Sequence, residues 1–284
     1  MNRHILDLYE TIMDELEKRR VYRMIKIENT EVMGWEAAIR GMRNPMNSWE
    51  KSDSGVCFNT VACHTCRADR NHCKSRMENK EFVVGYDDMN LMKRLCNAGT
   101  DHRKFMRMIT VYLDITAPLY WWKEFDTYKV GTVANSCSTM HKIADKEFTL
   151  EDFSCEHLTT QSIECLKNTI DLLNMHRNLY ISKTDKKVDR YTVMSDECYA
   201  KYKKTLWWQM IQLLPSSYNQ RRTVMLNYEV LTNIYKSRYN HRLDEWSEFR
   251  KWIESLPYSE LITGKEKEPT FSDYISTETY RSGK

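Results

Sequence analysis

Glycine and proline are scarce in this sequence, and a long hydrophobic run is missing. The chain has 8 glycines and 5 prolines in 284 residues, which favours long regular elements over a loop-rich architecture. Nowhere do about 18 uncharged apolar residues follow one another, so no membrane span is predicted. The first twenty residues lack the continuous apolar core of a signal peptide, and we expect a cytoplasmic protein.

An excess of charge of one sign is also missing. The 43 basic and 40 acidic residues give a net charge of +3, which favours neither a protein that binds duplex nucleic acid nor one that binds a membrane surface. A hydrophobic content of 41% is enough to build a core. Recognition of an anion would therefore have to come from a local site.

Nine cysteines without a secretory signal favour free thiols or metal ligands over a disulfide framework. Four of them, Cys57, Cys63, Cys66 and Cys73, lie in an irregular excursion over residues 46–85. Their spacing allows a structural zinc site. Because a second CxxC pair is missing, plain thiols in a loop are the preferred interpretation, and no metal ligand is assigned.

Apolar residues recur at helical spacing along most of the chain. Helices are predicted over residues 1–20, 34–42, 87–98, 158–179, 195–214, 214–238 and 241–256, and strands over 21–29 and 110–115. Because regular β-α alternation is missing, we predict an α+β fold, a helix-rich single domain with a small mixed or antiparallel sheet. An amphipathic helix (1–20) would precede the domain (21–262), and a polar mobile tail (263–284) would follow it.

Two polar residues interrupt the apolar stripe of the helix predicted over residues 214–238. The apolar members of that stripe fall within an arc of roughly 140°, and they are Val224, Val230, Leu231, Ile234 and Tyr235. Asn227 lies in the middle of the arc, and Arg238 projects within about 20° of Asn227. Burying an unpaired amide there would cost about 2–7 kcal/mol. Either the protein itself or a polar ligand must pair with these side chains.

Two further segments combine residue types that suit a nucleotide. Residues 128–142 contain Asn135 and Ser138, whose short neutral side chains could bind a phosphate or a ribose. Capping of a helix start explains the same residues more simply. Residues 117–129 carry Trp121 and Trp122 among charges, which suits either the stacking of an aromatic cofactor or an ordinary core.

Together, these segments resemble the flavin-dependent thymidylate synthases in content and order. That family has a motif of the form RHRxxSxNExSxR and, further on, a helix of the form LPxxxYxxxxxxxNxRxxxxFxxxR. Here Leu214-Pro215, Asn227 and Arg238 match the second motif at the same intervals, and Asn135 and Ser138 match the first. The segments GWEAAIRGMR and Thr100 to Tyr112 also resemble parts of the family pattern.

The resemblance implies an enzyme that uses FAD and a folate donor to transfer a one-carbon unit to a pyrimidine nucleotide such as dUMP. It implies that Lys129, Asn135, Asn227 and Asn233 bind the flavin. Ser138 and Arg238 would bind the substrate, and Arg238 would polarise the pyrimidine as the catalytic residue. Members of the family are homotetramers, so a homo-oligomer is implied.

The chain departs from the family motif at several cationic positions. The family's Arg-His-Arg becomes Thr127-Tyr128-Lys129 or Tyr128-Lys129-Val130, and two further arginines become Met140 and Glu229. Each lost charge-assisted bond is worth about 1.5–3 kcal/mol. The alternative is therefore an inactive or repurposed relative that binds a nucleotide or a protein partner. Arg238 would then pair internally, with Glu229 or Glu124, and a chance resemblance to the family is a third interpretation.

Overall fold

Helices and a small antiparallel sheet make up the chain, which confirms the predicted α+β class. The computed structural model describes residues 25–56, 82–182 and 194–265. The strands are β1 (Lys26–Met33), β2 (Gly55–Val56), β3 (Phe82–Val83), β4 (Thr110–Pro118), β5 (Val133–Ser136) and β6 (Asn219–Asn227). Four of them form one sheet in the order β1-β4-β6-β5, and β2 pairs with β3.

Most of the predicted helices are present with small shifts at their ends. The helices are α1 (Trp35–Arg43), α2 (Tyr86–Asn97), α3 (Leu119–Phe125), α4 (Thr139–Lys142), α5 (Thr160–Ile181), α6 (Asp196–Leu213), α7 (Tyr228–Ser237), α8 (Asp244–Ser255) and α9 (Glu260–Thr263). The first strand begins at Lys26, later than predicted, and β4 confirms the strand predicted over residues 110–115.

The single helix predicted over residues 214–238 is wrong. The segment forms strand β6 as far as Asn227 and helix α7 from Tyr228 onwards. In β6, Val224 and Leu226 are fully buried and alternate with less buried residues, which is the period of a strand with one buried face. The projection of Val224 onto the helical stripe was a coincidence.

The contacts divide the chain into two compact units. The first unit comprises residues 1–28, 114–127 and 134–223, as far as they are described. Its core includes apolar residues of the two long helices α5 and α6 and of the segment before them. Leu173 of α5 and Met210 of α6 are completely buried in this core.

The second unit comprises the described part of residues 29–113, 128–133 and 224–284. Trp35 of α1 packs edge-on against Tyr228 of α7, with ring centroids 5.2 Å apart. Near the end of α1, Arg43 forms a buried ion pair with Asp88 of α2, and the two charged atoms are 2.6 Å apart. Ser52 and Ser54 donate hydrogen bonds to the other oxygen of the same carboxylate. Both oxygens of the buried Asp88 carboxylate therefore have hydrogen-bond donors.

Several predictions concern residues that the structure does not describe. They are the amphipathic helix over residues 1–20, the cysteines at positions 57, 63, 66 and 73, and residues 266–284 of the polar tail. The zinc site and the tail therefore stay predictions. None of the helices in the described ranges is long and apolar enough to cross a membrane.

Candidate functional site

Arg238 lies directly after the last residue of α7, in the second unit. Its Nε donates a hydrogen bond to the hydroxyl of Tyr128 over 2.8 Å. The centre of the guanidinium lies 4.6 Å from the ring centroid of Trp246 and 5.3 Å from that of Tyr128. One hydrogen bond and two cation–π contacts therefore orient a side chain that is half-buried.

The loop that carries Tyr128 can lie against α7 because it contains a glycine. Gly131 has a φ of +78°, in the left-handed region that favours glycine. A Cβ at this position would be 3.0 Å from Nδ2 of Asn227 and 3.2 Å from a methyl carbon of Val230. The loop thus approaches the start of α7 at Gly131 and its end at Tyr128.

Asn227 is the residue at which β6 ends and α7 begins. It is 9% exposed, and its side-chain oxygen accepts a hydrogen bond of 3.0 Å from the backbone N–H of Val230. This is the N-cap interaction, which satisfies one of the N–H groups left unpaired at a helix start. The protein itself thus pairs with the buried amide oxygen that the helical projection left without a partner.

A second buried ion pair lies on another face of α7. Arg103 Nη2 donates to one carboxylate oxygen of Glu229 over 3.2 Å, and its Nε lies 2.8 Å from the other oxygen without the alignment of a hydrogen bond. Arg103 also donates to the side-chain oxygen of Asn233 over 3.4 Å. The internal-pairing alternative had suggested that Glu229 pairs with Arg238. In the structure, Glu229 pairs with Arg103 instead.

The predicted ligand-binding residues fall into two groups. Lys129, Asn227, Asn233 and Arg238 belong to the second unit, whereas Asn135 and Ser138 belong to the first. Asn233 and Arg238 are five positions apart on α7, so they project about 140° apart. Lys129, Asn135 and Asn233 are exposed.

Helix capping explains Ser138, as the simpler interpretation of that segment predicted. Its hydroxyl accepts a hydrogen bond of 3.2 Å from the backbone N–H of His141. The aromatic run is part of the core: Trp121, Trp122 and Phe125 are at most 1% exposed. The indole of Trp122 donates to the backbone oxygen of Gln220.

Sequence reasoning missed two partners of the predicted residues, Arg103 and Trp246. Arg103 and Glu229 are 126 positions apart, and neither lies in a pattern that points to the other. Trp246 lies in α8, within the helix predicted over residues 241–256, and nothing in that pattern points to Arg238. A pairing of this kind becomes visible only when the fold brings the elements together.

Comparison with known proteins gives a fold relationship. No protein-family model and no curated protein matches the sequence. Thymidylate synthase X from Helicobacter pylori, solved with FAD and dUMP, matches with a TM-score of 0.53 and 14% identity over 84% of this chain and 96% of that one. This chain has a fold similar to that of the flavin-dependent thymidylate synthases. A second structure of the H. pylori enzyme, also complexed with FAD and dUMP, matches with a TM-score of 0.52 and 12% identity, covering 84% and 97% of the two chains.

The residues that the resemblance assigns to the flavin fit that cofactor poorly. The Asn227 oxygen is used by the helix cap, and its nitrogen faces Gly131. The Asn233 oxygen accepts from Arg103, and the position of a family arginine holds the buried carboxylate of Glu229. Only Lys129 carries a positive charge among the four assigned residues. These contacts do not form a site for a dinucleotide diphosphate.

Proposed function

We propose that this chain binds a pyrimidine nucleotide of the dUMP type, with Arg238 in contact with the base. The observation that carries this proposal is the orientation of the Arg238 guanidinium by Tyr128 and Trp246. A guanidinium stays charged at all physiological pH values and donates in a fixed plane, which suits the oxygen atoms at the edge of a pyrimidine. Orientation before binding lowers the entropy that binding would otherwise cost.

Two further features, independent of the contacts of Arg238 with Tyr128 and Trp246, support the proposal. Proteins of similar fold have been solved with dUMP, and Arg238 occupies the family position that contacts the pyrimidine in the resemblance. Ser138 is proposed as a further substrate residue. The Ser138 hydroxyl oxygen accepts a hydrogen bond from the backbone N–H of His141. The hydrogen of the same hydroxyl can be donated to a phosphate or sugar oxygen.

Binding of dUMP to the purified chain tests the proposal. Isothermal titration should show binding to the wild-type protein, and Arg238→Met should weaken it by roughly tenfold or more, since it removes a charge-assisted bond. Arg238→Lys should recover only part of the affinity because it loses the planar donor. Arg107→Met, which removes an exposed arginine of the same unit, is the control. Equal binding by all four proteins would refute the assignment of Arg238.

The flavin-dependent transfer of a one-carbon unit is the second candidate, with FAD as cofactor and a folate as donor. Its support is that the similar solved structures contain FAD together with dUMP. On this reading the domain over residues 21–262 is a thymidylate synthase-like methyltransferase of nucleotide biosynthesis, and it acts as a cytoplasmic homotetramer. The resemblance assigns Lys129, Asn135, Asn227 and Asn233 to the flavin, although the side-chain oxygens of Asn227 and Asn233 already accept from the Val230 N–H and from Arg103.

An absorbance spectrum separates the two candidates. A purified protein that is yellow and releases flavin on denaturation would support the flavin-dependent reaction. A colourless protein that binds dUMP but takes up no added FAD would support the repurposed relative. Failure to bind either compound would contradict both candidates.

A further inference from the structure

A small cavity with a cationic lining lies beside α7 in the second unit. It has a volume of about 170 Å³ and is lined by residues of α2, α7 and α9, by Arg103, and by the two residues that follow α9. Its charged side chains are Lys93, Arg103, Lys236 and Lys265, against the single carboxylate of Glu260. We call this space the lysine cavity.

Two of its four cations are neutralised by carboxylates. Arg103 pairs with Glu229, and Lys265 lies 2.8 Å from a carboxylate oxygen of Glu254. Within the described ranges, the side chains of Lys93 and Lys236 form no ion pair or hydrogen bond with another residue. Lys93 and Lys236 then stand against the one carboxylate of Glu260, so the cavity retains a net charge of one positive unit.

The half-buried thiol of Cys96 also lines the lysine cavity. Burial raises the pKa of Cys96 to about 12, with a further upward contribution from Glu229, while the charges of Arg103 and Lys236 act downward. At neutral pH the thiol is protonated and adds no negative charge.

A second and larger cavity provides a contrast. It is lined by residues of α1, α2 and the segment between them, and three basic side chains there face three acidic ones. A cavity with balanced charge has no reason to prefer an anion. Proximity to a helix C-terminus would explain Lys236 by itself, but it does not explain why Lys93 and the buried Arg103 converge on the same small space.

We infer that the lysine cavity binds a small oxyanion, a phosphate group, between Lys93 and Lys236. Its volume of about 170 Å³ suits an anion of this size. Lysine ammonium groups bind phosphate as point charges, without the planar geometry that arginine requires. Lys236 and Arg238 are two positions apart, which corresponds to about 200° around the helix, so the cavity is distinct from the Arg238 site.

Titration with inorganic phosphate at constant ionic strength tests this inference. Phosphate should bind to the wild-type chain and raise its melting temperature, whereas chloride at the same ionic strength should not. Lys93→Met and Lys236→Met should each weaken phosphate binding roughly tenfold, and the double variant should abolish it. Lys104→Met removes an exposed lysine next to Arg103 and is the matched control. Lys236→Arg should retain most of the binding because it keeps the charge.

The outcome separates this inference from the proposed function. Arg238→Met should leave phosphate binding intact even if it abolishes dUMP binding. If the double lysine variant loses phosphate but keeps dUMP, the site takes a free oxyanion; if it loses both, the site takes the phosphate of the nucleotide. Phosphate binding that is the same in the double variant and the wild type, or no phosphate binding to the wild type, would overturn the inference. Melting curves without phosphate show whether each variant is folded.

Discussion

The hydroxyl of Tyr128 accepts a hydrogen bond from Nε of Arg238, between residues 110 positions apart in the sequence. The motif resemblance matches Tyr128 to part of the Arg-His-Arg motif of the flavin-dependent thymidylate synthases. A neutral residue at this position thus holds a cation supplied by α7.

Tyr128→Phe should weaken dUMP binding and leave the fold intact. The variant keeps the ring that contacts Arg238 and removes only the hydroxyl, so the guanidinium loses a bond to a charged group worth about 1.5–3 kcal/mol in a buried setting and less in this half-buried one. Isothermal titration should show roughly three- to tenfold weaker binding. An unchanged affinity would show that Tyr128 does not orient Arg238 for a ligand.

Asn227→Ala should destabilise the chain by about 0.5–2 kcal/mol, because it removes the side-chain acceptor that caps α7. Asn227→Asp should retain most of the stability, since a carboxylate also accepts the Val230 N–H and interacts favourably with a helix N-terminus. Urea unfolding at pH 7 measures both variants. If Asp destabilises the chain as strongly as Ala, the cap is not the main role of Asn227.

Gly131→Ala should destabilise the chain more than Gly99→Ala. Both glycines have positive φ, so both substitutions carry the strain of an L-residue in the left-handed region, about 1–2 kcal/mol. Only at Gly131 does the added methyl group meet neighbours, Asn227 and Val230; at Gly99 no atom lies within 4 Å. The difference between the two free energies of unfolding isolates the contact of the loop with α7. Equal losses would argue against that contact.

Asp88→Asn should destabilise the second unit by about 3–5 kcal/mol, because it leaves the buried Arg43 without its charge partner. Burial alone would raise the pKa of the Asp88 carboxyl, but hydrogen bonds from Ser52, Ser54 and Arg43, together with the charge of Arg43, outweigh burial and lower this pKa. The stability from this pair is therefore fully present above the unfolded pKa of about 3.9 and is lost as the pH falls through the lower folded pKa.

Denaturant unfolding between pH 7 and pH 2 measures this pH dependence. The wild type should lose stability in the acid range, and part of that loss should be missing in Asp88→Asn. The neighbouring exposed residue offers a control, because Asp87→Asn should keep the acid sensitivity of the wild type. A pH profile of Asp88→Asn that is parallel to the wild-type profile would contradict the assignment.

Glu229→Gln should destabilise the chain by about 3–5 kcal/mol, since Arg103 would remain buried and charged without a carboxylate. Exchanging both residues, Arg103→Met with Glu229→Met, should cost less than Glu229→Gln alone, because apolar side chains of similar size leave no buried charge. A double-mutant cycle from urea unfolding gives the coupling energy. A coupling near zero would show that the pair contributes only by packing.

The sequence predicted the long helices because their apolar spacing is a local property. The helix over residues 195–214 is an example, since its N-cap serine and its apolar positions both lie within the segment. The error at residues 214–238 arose at the point where the two-residue period of a strand gives way to the 3.6-residue period of a helix. Val224 of β6 and Val230 of α7 happened to fall on the same side of a single helical projection. The asparagine before an apolar run is itself a helix-start signal, and it would have separated them.

The candidate site was predictable only in part. Arg238 and Asn227 were selected because polar residues interrupted an apolar stripe, and both have specific partners in the structure. The partners themselves come from segments far away in the sequence, and the spacing of Arg103, Tyr128 and Trp246 carries no trace of these contacts. Long-range pairing depends on the packing of whole elements, which local patterns do not encode.

Asn227 is both the last residue of strand β6 and the N-cap of helix α7. The register of the strand is therefore linked to the residue at which the helix starts. The register of β6 decides which residue reaches the end of the sheet, and that residue starts α7. A slip of one residue in the strand would turn every side chain of the helix by about 100°. Arg238 would then point away from Tyr128 and Trp246. The direction in which Arg238 points, at the C-terminal end of α7, thus depends on the hydrogen bonds that fix the register of β6 at the N-terminal end of the helix.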